Sequence, residues 1–188
     1  MALESNAKLC QAYLAEPKSQ RQPLYRLEAF KKIGAMLFEF LNNNPSWMNI
    51  KWSKPTAIHG LDLMGNEPPY GARFDKQAMA ESFQRYWPSA RDFLLTQPET
   101  SHLMTGLGLE LPLKIDHKLW FLFILGAFQL YQRQPALLPQ IMEALSPVFL
   151  ARVLYFIEEA GSFDSRQVEN FFENQCMIFE EHKKEFLN

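Results

Sequence analysis

DHKLWFLFILGAFQLYQR, residues 116–133, holds the most apolar run of the chain, Leu119 to Phe128. Gln129 interrupts that run, and Lys118 and Arg133 bound it. It is too short to cross a bilayer, which takes about 20 apolar residues, so it is expected to be a buried core helix. Asp116 precedes it as an N-cap. A helix this apolar needs amphipathic neighbours to surround it, and the flanking sequence offers them on both sides.

Downstream, helices are expected at about 136–145 and 147–160, the second turning Phe149, Leu150, Val153, Leu154 and Ile157 inward. Gly161 suits its C′ position. The last helix is expected from about Ser165 to Phe186, with Asp164 and Gln167 forming a capping-box-like start and Val168, Phe171, Phe172, Ile178, Phe179 and Phe186 forming a stripe. Upstream, 98–115 reads as a loop. Asp75 is expected to cap a helix through Arg85, Pro88 to end or kink it, and 89–97 to form another short helix. Pro23 to Leu41 carries apolar residues every three or four positions (Leu24, Leu27, Phe30, Ile33, Leu37), and Asn42-Asn43-Asn44-Pro45 stops it. A short helix over 4–15 completes the series.

Residues 44–75 differ. Four prolines and three glycines break the segment, while Trp47, Met48, Ile50 and Trp52 alternate with Asn49 and Lys51 in a strand-like way. A small β-hairpin between Trp47 and Leu63 is one expectation and an ordered excursion the other; irregular segments this long are often functional. The fold class is therefore mainly α. A compact single domain, 1–188, of six to eight helices is expected, with a Pro/Gly/Trp-containing excursion at 44–75. The expected core includes Leu27, Phe30, Leu37, Phe83, Trp120, Phe123, Ile124, Val153, Leu154, Phe171 and Phe172.

With 47% hydrophobic residues and 16 Phe in 188, the chain has enough apolar mass to fold without a disulfide or metal staple. Its formal net charge of −2 argues against a partner bound by phosphate neutralisation, so no nucleic acid is expected. The charge is uneven: 12 basic against 9 acidic residues in 1–94, but 7 against 12 in 95–188. Cys10 and Cys176 stand far apart with no Cys-x-x-Cys, and residues 1–20 lack an apolar leader core. A reduced, cytoplasmic setting is expected, without a membrane span.

No chemistry announces itself. His59, His102, His117 and His182 fall in separate segments with no partner at metal-ligand spacing, so neither metal nor cofactor is expected. Gly106 and Gly108 match only a fragment of a dinucleotide fingerprint, and neither a nucleophile elbow nor a phosphate loop occurs. Two surfaces are candidates for a protein partner. One is the aromatic segment with Trp47, Met48 and Trp52, residue types enriched at interface cores. The other is the acidic face of the last helix, where Glu169, Glu173 and Glu180 fall on one side.

The C-terminal quarter, with Ala151-Arg152-Val153-Leu154, Glu158-Glu159, a polar loop at Gly161 to Ser165, Phe171-Phe172 and Ile178-Phe179-Glu180, resembles the small adaptor subunits of the type IVB (Dot/Icm) secretion coupling complex. The resemblance implies a non-enzymatic adaptor or chaperone that docks effectors or a coupling-protein tail for export. It carries over no individual binding residue. A toxin-neutralising immunity protein, and an enzyme or small-ligand binder whose site converges only in three dimensions, stay open at this point, as does the oligomeric state.

Overall fold

The computed structural model describes residues 27–50, 75–104, 114–160 and 165–187. The fold is mainly α, with six helices and no strand among those residues. They are α1 Leu27–Asn43, α2 Lys76–Thr96, α3 Pro98–Met104, α4 His117–Arg133, α5 Leu138–Ala160 and α6 Ser165–His182, joined by 3-10 turns at Pro45–Asn49, Pro135–Leu137 and Lys183–Leu187.

Helix α4 lies at the centre. Phe121, Phe123, Leu125, Ala127, Phe128, Leu130 and Tyr131 are all buried, on several sides of the helix. The Asp116 carboxylate accepts from the Leu119 N–H at 2.7 Å and fixes its start. Aromatic edges then tie the neighbours to it. Phe38 of α1 meets Phe128 edge-on at 5.3 Å, and Phe179 of α6 meets Phe121 in the same way at 5.0 Å.

Both internal prolines lie within continuous helices, so the short helix expected over 89–97 belongs to α2 and the two expected at 136–145 and 147–160 are one, α5. Helix α2 runs through Pro88 because Met79, Phe83, Trp87, Ala90 and Leu94 bury one continuous stripe, while Pro88 sits on the exposed side. The missing donor falls where water can replace it. In α5, Pro147 withdraws a donor from the carbonyl of Glu143, an exposed residue. Packing of α2 along α5, the most extensive helix pair of the fold, outweighs both losses.

By length and mean hydropathy, 1.4 over its most apolar window, Pro135–Glu159 is the one stretch among the described residues that meets the requirement for crossing a bilayer. Of that window 61% is buried inside the fold, as in a core helix.

Three further expectations are corrected. Residues 98–104 form helix α3 rather than loop; Pro98 opens it, and the Thr100 hydroxyl donates to the Leu94 carbonyl at 2.7 Å, folding α3 back onto α2. Trp47 to Asn49 are not strand. Pro45 starts a 3-10 turn in which the Trp47 N–H donates to Asn44 O at 3.0 Å, and the rest of the expected hairpin lies outside the described residues. Of the expected core, Phe83, Phe123, Leu154 and Phe171 are buried and Leu27, Phe30, Trp120, Ile124 and Val153 partly so, but Leu37 is 47% exposed and Phe172 52% exposed. Both stand beside a residue that took the inward position, Phe38 and Phe171, and adjacent helix residues point about 100° apart, so burying one fully leaves the other at the edge.

Helix α3 crosses α4 at Gly126, where an added Cβ would lie 2.7 Å from the Glu99 carbonyl oxygen and 3.0 Å from a Thr100 methyl. The first of these is backbone and cannot swing aside. Alanine is the better helix former by about 1 kcal/mol, yet overpacking typically costs about 1–3 kcal/mol. Gly126→Ala is therefore expected to lower stability by about 1 kcal/mol or more in urea denaturation, while an exposed α2 substitution such as Ser89→Ala leaves the midpoint nearly unchanged.

Candidate functional site: an apolar groove beside the first helix

Helix α1 carries more apolar residues than its contact with the bundle uses. Phe38 is buried, and Phe30 stacks flat on Phe149 of α5 with centroids 4.3 Å apart. On the other side Ile33 and Met36 are 66% and 68% exposed, adjoining the exposed Leu37. Three large apolar residues exposed within two turns form a patch of the kind that marks contact surfaces.

The patch borders a groove. Its first section, of about 340 Å³, runs between Phe30, Ile33 and Leu37 of α1, Trp120 and Ile124 of α4, Met142 and Phe149 of α5, and Phe179 of α6. Gly34 sets its depth, since a Cβ there would stand 2.8 Å from the Met142 sulfur. The second section, of about 290 Å³, continues past Leu41, Met48, Cys176 and Phe186 to the polar pair Glu180 and Lys183. Leu37, Phe38, Ile124 and Phe179 line both sections, so the two are contiguous.

One charged pair lines the groove. In its second section Lys183 donates to both oxygens of Glu180 at 2.8 Å and to the Ile50 carbonyl, fastening the turn after α1 to the turn after α6. Outside the groove lining, Lys31 bridges α1 to α5 through Glu143 at 2.9 Å and also meets Glu28 at 2.6 Å, and these carboxylates raise its pKa above the ordinary lysine value.

The sequence offered the aromatic segment and the acidic helix face as separate surfaces; the structure brings parts of both to one place. Met48 is buried, closes the floor of the second section, and faces the same cavity as Glu180. Trp47 is half-buried, edge-on to Phe40 at 4.9 Å. Glu173 is half-buried on α6, and the backbone of Glu169 belongs to the same helix. Trp52 lies outside the described residues. Cys176 is exposed and borders the groove. Sequence reasoning missed Ile33 and Met36 as surface residues; the available signal was a helix with apolar residues on two stripes where one suffices for the core.

A second polar constellation lies at the start of α4. Arg152 of α5 is only 8% exposed, and its guanidinium donates to the Ile115 carbonyl at 2.8 Å, to Gln175 Oε1 at 3.0 Å and to His117 Nδ1 at 2.8 Å. Because arginine only donates, its bond needs a lone pair on Nδ1, whereas a proton on that nitrogen would instead be donated to Gln175 Oε1, 3.1 Å away. Phe171 covers the guanidinium face at 4.9 Å. Gln175 returns a bond from Nε2 to the His117 carbonyl at 3.3 Å. These bonds join α4, α5 and α6 and line neither section of the groove, which fits a structural clamp better than a reacting site. Among the described residues no group of three or more His, Cys, Asp or Glu is arranged to hold a metal.

No family model, curated protein or solved structure matches the chain.

The clamp has a pH dependence of definite sign. Burial, assisted by the Arg152 charge, holds His117 below the ordinary histidine value despite the opposing Gln175 bond and Asp116 charge. The clamp's stabilisation is thus complete above a pH of about 6.5. As the pH falls from there, the unfolded chain takes up a proton that the native site resists, and stability drops until the folded pKa is passed. Denaturation midpoints measured between about pH 7.5 and 5 are expected to fall, and to fall less in His117→Gln, which cannot titrate.

Proposed function

We propose that this protein is a non-enzymatic adaptor or chaperone that receives an amphipathic helical segment of a partner protein in the groove beside α1. The observation that carries this reading is the groove itself, a contiguous apolar channel walled by four helices, with Ile33 and Met36 standing exposed on its margin. A partner helix laid along such a groove places residues at i, i+3/i+4 and i+7 into it, and burying each large one contributes roughly 1.5–3 kcal/mol before ordering costs. The Glu180–Lys183 pair in its second section would set direction and register more than affinity.

The resemblance of the C-terminal quarter to type IVB coupling-complex adaptors makes a secretion substrate or a coupling-protein tail the first partner to seek, in the cytoplasm. The enzyme alternative draws less support. The best-developed polar cluster, around Arg152, is tied up in three hydrogen bonds between helices and stands apart from the groove.

The test is site-specific photo-crosslinking in the native cell from a benzoylphenylalanine placed at Leu37. A discrete adduct with another protein is expected from Leu37, and none from an exposed α2 position such as Arg85. In the same cells, Ile124→Glu should abolish that adduct while the purified variant keeps its helical circular dichroism. Loss of one apolar anchor at such a contact typically costs about 2 kcal/mol, roughly thirtyfold in affinity. An adduct that persists in a folded Ile124→Glu variant, or no heterologous adduct at all, overturns the proposal.

A further inference from the structure

The exposed side of α1 has an order that a general sticky patch lacks. The exposed Ala29, Ile33 and Met36 and the half-buried Phe40, whose ring also meets Trp47, follow one another at intervals of four, three and four, which is the spacing of a coiled-coil seam. With Ile33 and Phe40 as a positions and Ala29 and Met36 as d positions, the flanking g positions are Lys32 and Glu39. Both are exposed, and neither has an ion-pair partner among the described residues. The e positions are Phe30 and Leu37, which belong to the wall of the groove.

We propose that α1 pairs antiparallel with α1 of a second copy of this chain, across a two-fold axis near Gly34 and Ala35. The geometry of antiparallel helix pairs sets each a residue against a d residue, each g against a g, and each e against an e. Opposing Ile33 to Met36 of the other copy then sets Ala29 against Phe40. That same register places Lys32 opposite Glu39 and, by symmetry, Glu39 opposite Lys32. It also places Leu37 over Phe30, so the second helix closes the mouth of the groove.

The parallel alternative has no such agreement. There a g residue meets the e residue five positions on, which sets Lys32 against the apolar Leu37 and leaves Glu39 without a cation. One helix can thus read its own sequence backwards with matched charge and matched apolar layers, and that match identifies a second copy as the occupant. The contact is a single helix pair about 25 Å long, at the small end of specific interfaces, so the dimer is reversible and depends on concentration. The pairing does not rest on the adaptor proposal, although a partner helix in the groove and a second copy over it exclude each other.

Sedimentation equilibrium of the intact purified chain tests it. The expected result is a monomer–dimer equilibrium across the micromolar range, with the double variant Ile33→Glu/Met36→Glu monomeric and equally helical. Lys32→Glu alone and Glu39→Lys alone should each weaken association roughly tenfold, since the two-fold axis repeats each mismatch. The combined swap Lys32→Glu/Glu39→Lys should restore association to within about threefold of the parent. A chain that stays monomeric at every concentration overturns the proposal. So does a dimer that the double swap fails to rescue, because Lys32 and Glu39 then do not face each other across the two-fold axis. Neither outcome bears on crosslinks to other proteins, which report the adaptor function separately.

Discussion

Helix α4 has almost no side that tolerates water. Eight of its seventeen residues are buried, including three phenylalanines and a tyrosine spread over most of its circumference. A helix in that condition is stable only when surrounded, and the rest of the structure follows from the need to surround it. α3 crosses it where Gly126 leaves room, α5 and α6 cover two further sides, and α1 lies across the remaining opening. Four segments around one rod do not close into a perfect wall. The groove is the gap left where α1 meets α4 and α6.

The clamp around Arg152 answers a different demand of the same arrangement. α6 is a weakly apolar helix, joined to α4 mainly through Phe171 and Phe179. A buried guanidinium with three neutral acceptors holds α6 in register through Gln175 and holds the entry to α4 through Ile115 and His117. Burying such a cation is costly unless every donor direction is met. It also makes the position of α6, and with it the Phe179 and Glu180 wall of the groove, sensitive to the protonation of one imidazole.

Local chemistry was the most legible part of the sequence. Asp75 and Asp116 act as the caps their positions suggested, with the carboxylates 2.9 and 2.7 Å from the amides they receive. The mainly α class followed from apolar periodicity over 116–133 and its flanks. What could not be read was whatever depends on a neighbour. Pro88 and Pro147 look like breakers until α2 and α5 are seen packed along each other. Residues 98–104 look like loop until Thr100 finds the Leu94 carbonyl. The misplacement of Leu37 and Phe172 has the same root, since periodicity reports that a stripe exists and not which of two adjacent stripes meets the bundle. Met48 and Glu180 are 132 positions apart, and only the packing of two terminal turns puts them in one cavity. Periodicity assigns Ile33 to the core stripe of α1 and does not single out Met36, yet these two give the groove its margin.

The floor of the groove is a thioether, kept there by a glycine. Met142 rests against the bare backbone of Gly34, and an unbranched side chain with three rotatable bonds can settle into many shapes. A branched leucine or a flat phenylalanine at that place would cast a fixed mould. A groove with a pliable base accepts leucine, isoleucine or phenylalanine on an incoming helix with little penalty for the exchange. For the partner helix proposed above, selectivity would then come from spacing and from the Glu180–Lys183 pair, so that dissimilar sequences sharing one rhythm would fit the same groove.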